Sequence, residues 1–227
     1  MSLIYKFPKL YDWVVEDMLN HPDMKDFYDN VFYDMLQLDK LQEGSLVLDL
    51  ACGTGLVGLD IAERRPDVHV VGLDISDSVL EQARHYVHER QLKNIVFVKK
   101  DIFALTSENI SEVCGIKDNR ALFDMIVCSH GYTAMKNYEV VFEHTLSLLR
   151  KNGCYIIMDI YFPERSLKTR LANKLIAQKL FGADQFRKPW LLLKDRFIDF
   201  KMPETHVKYF SISNMLYVAR GVNQQEN

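Results

Sequence analysis

Carboxylates recur in this sequence at or just beyond the ends of short apolar runs. Asp49 lies in SLVLDL, Asp74 closes VHVVGLD, Asp101 follows IVFVK, and Asp159 lies late in CYIIMDIYF. A further run, LFDMIVC, ends instead in Ser129-His130. Between the first two acids stands Gly53-Thr54-Gly55-Leu56-Val57-Gly58, a literal G-x-G-x-x-G. Its glycines let backbone pass close to a ligand and aim a helix N-terminus at it. On its own the pattern suggests NAD or FAD as readily as anything else. Asp74 follows Asp49 by 25 residues, where a ribose-binding carboxylate belongs, since one carboxylate can accept from both ribose hydroxyls. No G-x-x-x-x-G-K-[ST] is present, which leaves a triphosphate cradle unsupported. His130 and Tyr132, in SHGYTAM, are the candidate general bases for an acceptor that must lose a proton. Each residue has a plainer reading beside it. Asp74 can cap a helix, Asp101 can be a solvated loop acid, and Asp49 can brace the amides of the Gly loop. Asp159 reads first as a strand-end acid in water. His130 can pack on a ligand or bond backbone, and His144, on the apolar side of a helix, reads as structural.

The elements that must position these residues follow from periodicity. SLVLDL, VHVVGLD, IVFVK, LFDMIVCS and CYIIMDIYF are short, continuously apolar runs, as expected of strands buried on both faces of a parallel sheet. Helical patterns separate most of them, carried by Leu56 to Ala62, Val79 to Val87 and Val140 to Leu148. That alternation predicts right-handed strand–helix–strand units, whose ligand sits at the carboxyl ends of the strands. Residues 1–44 read as a helical N-terminal cover, with Pro22 in a turn between two helices. Residues 45–161 read as the core and 162–190 as a basic helical lid. Residues 191–227 read as a terminal pair of antiparallel strands, 197–207 and 209–220.

The stretch VLDLACGTG, followed by GLDIS and then VKKDIF, resembles the class I S-adenosylmethionine-dependent methyltransferase family. The likeness covers residues 45–160 well and the terminal strands more loosely. It implies an α/β, Rossmann-like, doubly wound sheet of seven strands, mostly parallel with an antiparallel C-terminal edge pair. It implies that the loop bearing Asp49, Ala51, Gly53 and Gly55 wraps the methionine end of the cofactor. Asp74 would hold the ribose and Ile75 pack on adenine. Asp101 would accept from the adenine amino group while Ile102 donates its backbone N–H. Ser129 would line the methionine end, and Tyr11 would close over the cofactor. An acidic rim suits a sulfonium cation better than an anionic dinucleotide. The layout also resembles, more weakly, the small-molecule and lipid methyltransferases, including those that methylate carbon in ubiquinone and menaquinone precursors.

The 227 residues suit one domain with a sizeable core. The net charge of -3 gives no basic field for nucleic acid, and no Lys/Arg-rich arm with interleaved aromatics stands near either end. An N/D-P-P-Y/F motif, carried after strand four by amino-methylating DNA enzymes of this fold, is missing. The expected partner is therefore a small or lipid-like acceptor. Cys52, Cys114, Cys128 and Cys154 form no C-x-x-C and read as reduced thiols of a cytoplasmic protein. No metal site is expected. Residues 164–190 combine basic side chains with an apolar stripe of Leu167, Leu171, Leu175, Ile176, Leu180 and Phe181. The plainer reading is a helix with its stripe on the core. The sharper one is a lid that meets an anionic membrane surface or an amphipathic acceptor. Two competing functions are an NAD(P)-dependent oxidoreductase and a cofactor-binding regulatory protein without turnover. Nothing in the sequence fixes an oligomeric state.

Overall fold

The computed structural model describes residues 21–115, 122–162, 166–197, 199–205, 207–209, 212–213 and 216–224. The apolar runs become β1 (Leu46–Leu50), β2 (His69–Asp74), β3 (Ile95–Lys99), β4 (Phe123–Ser129) and β5 (Leu149–Ile160). Two short strands, β6 (Lys208–Tyr209) and β7 (Ile212–Ser213), pair only with each other, and β8 (Leu216–Val222) ends the series. The main sheet runs β3-β2-β1-β4-β5-β8, parallel except where β8 pairs antiparallel with β5. Chain order therefore reverses between β1 and β4. That is the crevice where a sheet of this kind takes its ligand.

The helices before β1 are α1 (Pro22–Asp26), a π-helical turn over Phe27–Phe32, and α2 (Tyr33–Leu36). Those between strands are α3 (Leu56–Arg64), α4 (Asp77–Glu89), α5 (Ile110–Cys114) and α6 (Tyr138–Ser147). After β5 come α7 (Leu167–Ala172), a π-helical stretch Asn173–Phe181, and α8 (Trp190–Arg196).

Alternation along the strands sorts the core onto two faces. Leu46, Leu48 and Leu50 of β1 pack with Phe142 and Leu146 of α6 and Leu193 of α8. Val47 packs on the opposite face with Phe27 and Phe32 of the N-terminal segment and Val57 and Ile61 of α3. Each such fully buried aliphatic side chain stabilises the fold by about 1.5–3 kcal/mol. Asp49 shares the face of Val47, so its carboxylate is aimed at α3.

Three expectations give way. The described main sheet has six strands, not seven, because the described residues of 197–207 form no strand. Lys201 exchanges both backbone hydrogen bonds with Arg220, each 2.8 Å, and the ladder goes no further. Pro203, two residues on, has no N–H to extend it, and Trp190–Arg196 just before is helical. On its other edge β8 pairs antiparallel with β5, where Arg220 lies opposite Ile156. Pro22 begins a helix instead of sitting in a turn, since its missing N–H costs nothing in the first turn. The apolar stripe of the lid does not face the core. Thr169, Asn173 and Ala177 are the buried positions, and Leu167, Leu171, Leu175, Ile176 and Leu180 are exposed.

Candidate active site

The loop after β1 is shaped by three left-handed residues, Ala51 (φ 55°), Gly53 (φ 56°) and Gly55 (φ 79°). Gly55 could not be replaced cheaply. A Cβ there would lie 2.3 Å from Cζ of Phe97, whose ring fills the space beneath the loop. The Gly55 N–H donates to the Cys52 carbonyl, and the Gly55 carbonyl accepts from Leu59 N–H, each at 2.8 Å, so the turn runs directly into α3.

Asp49 is 1% exposed, and its Oδ2 accepts from Gly58 N–H at 2.9 Å. It braces the first turn of α3 from below. Burial pushes its carboxyl up to about 7; the Gly58 hydrogen bond opposes this and the neighbouring Asp74 charge adds to it. Asp74, at the end of β2, accepts from Gly53 N–H at 3.0 Å and from Ser76 N–H at 2.8 Å. Burial raises this carboxyl too, against those backbone hydrogen bonds. One side chain thus ties the Gly loop to the loop after β2. Ile75, next to it, is 62% exposed. Asp101 caps the short 3-10 turn Ile102–Ala104, its Oδ1 accepting from Phe103 N–H at 3.0 Å, and the Ile102 side chain is buried. His144 is structural as expected, its Nε2 lying 3.0 Å from the Ile102 carbonyl and 2.9 Å from that of Leu105.

At the end of β4, Ser129 lies opposite Met158 of β5, and His130 adopts a left-handed φ of 56°. Its N–H donates to the Met158 carbonyl at 2.8 Å. The imidazole is bracketed: Nε2 lies 3.0 Å from the Tyr28 hydroxyl and Nδ1 3.8 Å from Asp159 Oδ1. Asp159 is 1% exposed, not a strand-end acid in water as expected. It also accepts from Thr133 N–H at 3.0 Å, Thr133 Oγ1–H at 2.9 Å and Ile160 N–H at 2.8 Å. The turn carrying His130 abuts the Gly loop, since a Cβ on Gly131 would lie 3.0 Å from Cβ of Ala51. Burial raises the Tyr28 phenol well above its usual range.

Tyr132 does not join this group. It is fully buried, with its hydroxyl 2.5 Å from that of Tyr155, which in turn meets Thr145 Oγ1 at 2.7 Å. Burial pushes its phenol well above the usual range, so the structure places it in the core and not as a base. Tyr11 lies outside the described residues. Tyr28 and Asp159 are the two groups that sequence reasoning left out of the site. Asp159 had a signal in its position late in β5, whereas Tyr28 had none beyond membership of an aromatic helix.

The strand ends thus gather Asp49, Asp74 and Asp159 around one crevice. The cations on β3 and α4 are engaged by Asp77: Lys99 pairs with it at 2.9 Å and Arg84 approaches the same carboxylate at 3.9 Å. A positively charged ligand with vicinal hydroxyls fits this donor set, and a pyrophosphate does not. The residues therefore fit S-adenosylmethionine. Among the described residues there is no cluster of metal-ligating side chains and no helix long and apolar enough to cross a membrane. All four cysteines are free thiols.

A family model described as a methyltransferase domain matches residues 41–194. The demethylmenaquinone methyltransferase of Lactococcus lactis subsp. lactis is 30% identical over 121 residues, which is 53% of this chain and 44% of that protein. The chain thus spans under half the length of that relative. Among solved structures, the YcgJ protein of Bacillus subtilis superposes with a TM-score of 0.62 at 14% identity, covering 84% of this chain and 97% of that one. The magnesium protoporphyrin IX methyltransferase of Synechocystis PCC 6803, with bound SAH, gives 0.60 at 17% identity, covering 86% and 80%. Fold and site together define a Rossmann-like protein of the methyltransferase type. The chain belongs to the class I S-adenosylmethionine-dependent methyltransferase family.

Proposed function

We propose that the chain transfers a methyl group from S-adenosylmethionine to a small, lipid-like acceptor bearing an acidic proton, with His130 as the base. The observation that carries this reading is the bracketing of the His130 imidazole at the β1/β4 crevice, against the Gly loop. Bound there, S-adenosylmethionine supplies a methyl group already activated as a sulfonium. Asp74 takes the ribose hydroxyls on lone pairs not used by Gly53 and Ser76. The exposed Ile75 offers an apolar face to the adenine, and Asp101 and Ile102 border it. Ala51, Gly53, Gly55 and Ser129 line the methionine end.

What this chain adds is positioning and proton transfer. His130 Nε2 now holds the Tyr28 hydroxyl. An acceptor phenol or enol that takes that hydroxyl's place presents its proton to the same nitrogen. Asp159 Oδ1 stands 3.8 Å from Nδ1, on the side of the ring away from the acceptor. Asp159 is itself fixed by Thr133, so the ring keeps its orientation. The likeness to a demethylmenaquinone methyltransferase supports a quinone-like acceptor.

Thermal-shift titration with S-adenosylmethionine and S-adenosylhomocysteine, with NADH as control, tests the cofactor. A shift of about 5–10 °C with both adenosyl ligands and none with NADH is expected. A shift with NADH alone refutes the reading. With phenols and demethylated quinols as acceptors, His130→Ala is expected to lower kcat by about 10²–10⁴ and spare cofactor affinity. Unchanged kcat in that variant removes His130 as the base.

A further inference from the structure

The helical segment from Leu167 to Phe181 is built inside out. Leu167, Leu171 and Leu175 stand in water at 76%, 48% and 50% exposure, with Ile176 and Leu180 beside them. The buried row is Thr169, Asn173 and Ala177. Asn173 enforces this orientation. Its amide donates to Asp184 Oδ1 at 3.0 Å, and its carbonyl oxygen accepts from Gln185 N–H at 2.8 Å. Rotating the helix to hide the leucines would strip a buried amide of both partners, which is costly. A contiguous exposed apolar ridge of this kind marks a contact surface. Lys168, Arg170, Lys174 and Lys179 flank it, all exposed, and residues 166–181 contain no Asp or Glu.

We propose that this face docks on an anionic lipid surface. The leucine ridge enters the boundary between headgroups and acyl chains while the four cations stay among the headgroups. Charge selects this occupant. A second copy using the same face would set its lysines and arginine against identical charges. The protein as a whole carries a net charge of -3, so its overall charge does not draw it to an anionic surface and a local basic strip such as this one supplies the attraction. Asp184 donates its N–H to the Thr133 carbonyl at 2.8 Å, which ties the turn after the strip to the loop that follows β4. A lipid-like acceptor would then reach the crevice from the bilayer without crossing water.

Docking requires neither cofactor nor acceptor, so the ligand-free full chain is tested by cosedimentation with vesicles. Phosphatidylcholine vesicles containing about one-third phosphatidylglycerol are compared with pure phosphatidylcholine. Binding to the anionic vesicles is expected to be about tenfold or more stronger, and to fall with salt. Leu171→Ser with Leu175→Ser, both exposed, should weaken it by about tenfold at an unchanged melting temperature. Lys168→Glu with Lys174→Glu should remove the preference for anionic vesicles. Wild-type protein that sediments no better with anionic vesicles than alone overturns the proposal. So does equal binding by either double variant. Concentration-dependent dimerisation abolished by the leucine substitutions would assign the face to a second copy and overturn it as well.

Discussion

Asp49 is held almost wholly out of water beneath the Gly loop, and its carboxyl titrates near 7 where an ordinary aspartate titrates at 3.8. The native state therefore binds this proton more tightly than the unfolded chain does. The stability it confers is fully present below pH 3.8 and is lost as pH rises through about 7. At about 1.36 kcal/mol per pH unit, the interval from 3.8 to about 7 amounts to about 4 kcal/mol. That is a large part of a typical domain's 5–15 kcal/mol, roughly. Asp49→Asn keeps an oxygen to accept from Gly58 N–H and cannot ionise. The variant should match the wild type near pH 4 and exceed it progressively above pH 5, by up to about 4 kcal/mol at pH 8. Urea unfolding of both proteins without cofactor, at several pH values across that range, measures the difference. Titrating groups remote from Asp49 are common to the pair and cancel, while the coupling to Asp74 enters the difference as part of the Asp49 shift. A difference that stays constant from pH 4 to pH 8 would refute the claim that Asp49 is neutral in the folded protein at mildly acidic pH.

Four further substitutions separate site from scaffold. Asp74→Ala should weaken S-adenosylmethionine by about tenfold or more by calorimetry, since charge-assisted hydrogen bonds contribute about 1.5–3 kcal/mol each; unchanged affinity in folded protein would remove Asp74 from the cofactor site. Gly55→Ala should cost about 1–3 kcal/mol in urea unfolding, because its Cβ would meet the Phe97 ring. Phe97→Leu in the same chain should recover part of that loss, and no recovery would show that backbone strain, not the ring, sets the cost. Tyr132→Phe should cost about 1 kcal/mol of stability through the lost hydrogen bond to Tyr155 and leave kcat intact. A tenfold fall in kcat would return Tyr132 to the active site.

The parallel core was legible because β1, β2, β4 and most of β5 are buried on both faces, and such strands carry their burial in an unbroken apolar run; the edge strand β3 is only partly buried. The Gly loop and Asp74 were legible because tight backbone geometry at a strand end admits few residue types. The terminal strand pair was misread for a related reason: FIDFKMPETHV has strand-like residues, but Pro203 and its lack of an N–H decide its fate. Periodicity found the stripe of the lid and gave it the wrong direction. A repeat of leucines shows that a helix has a face, and only the partners of Asn173 show which way that face turns. Asp159 and Tyr28 were missed as site residues because their roles depend on long-range contacts. Tyr28 is 102 positions from His130 in sequence, and no local pattern records their meeting.

Thr133 belongs to two structures at once. Its N–H and hydroxyl go to Asp159, while its carbonyl accepts from Asp184 N–H and from the Arg187 guanidinium. Asp159 stands beside His130, and Asp184 holds Asn173 of the lid. Thr133 therefore touches both the lid and the support of the imidazole. Thermodynamic reciprocity then applies: a surface that tightens ligand binding in the crevice by some factor is itself bound tighter by the same factor when the ligand is present. Thr133→Val, which deletes the hydroxyl to Asp159 and keeps both backbone links, should lessen that factor in either direction of measurement. The enzyme's grip on its surroundings and its grip on its substrate would thus be one quantity, read from two ends.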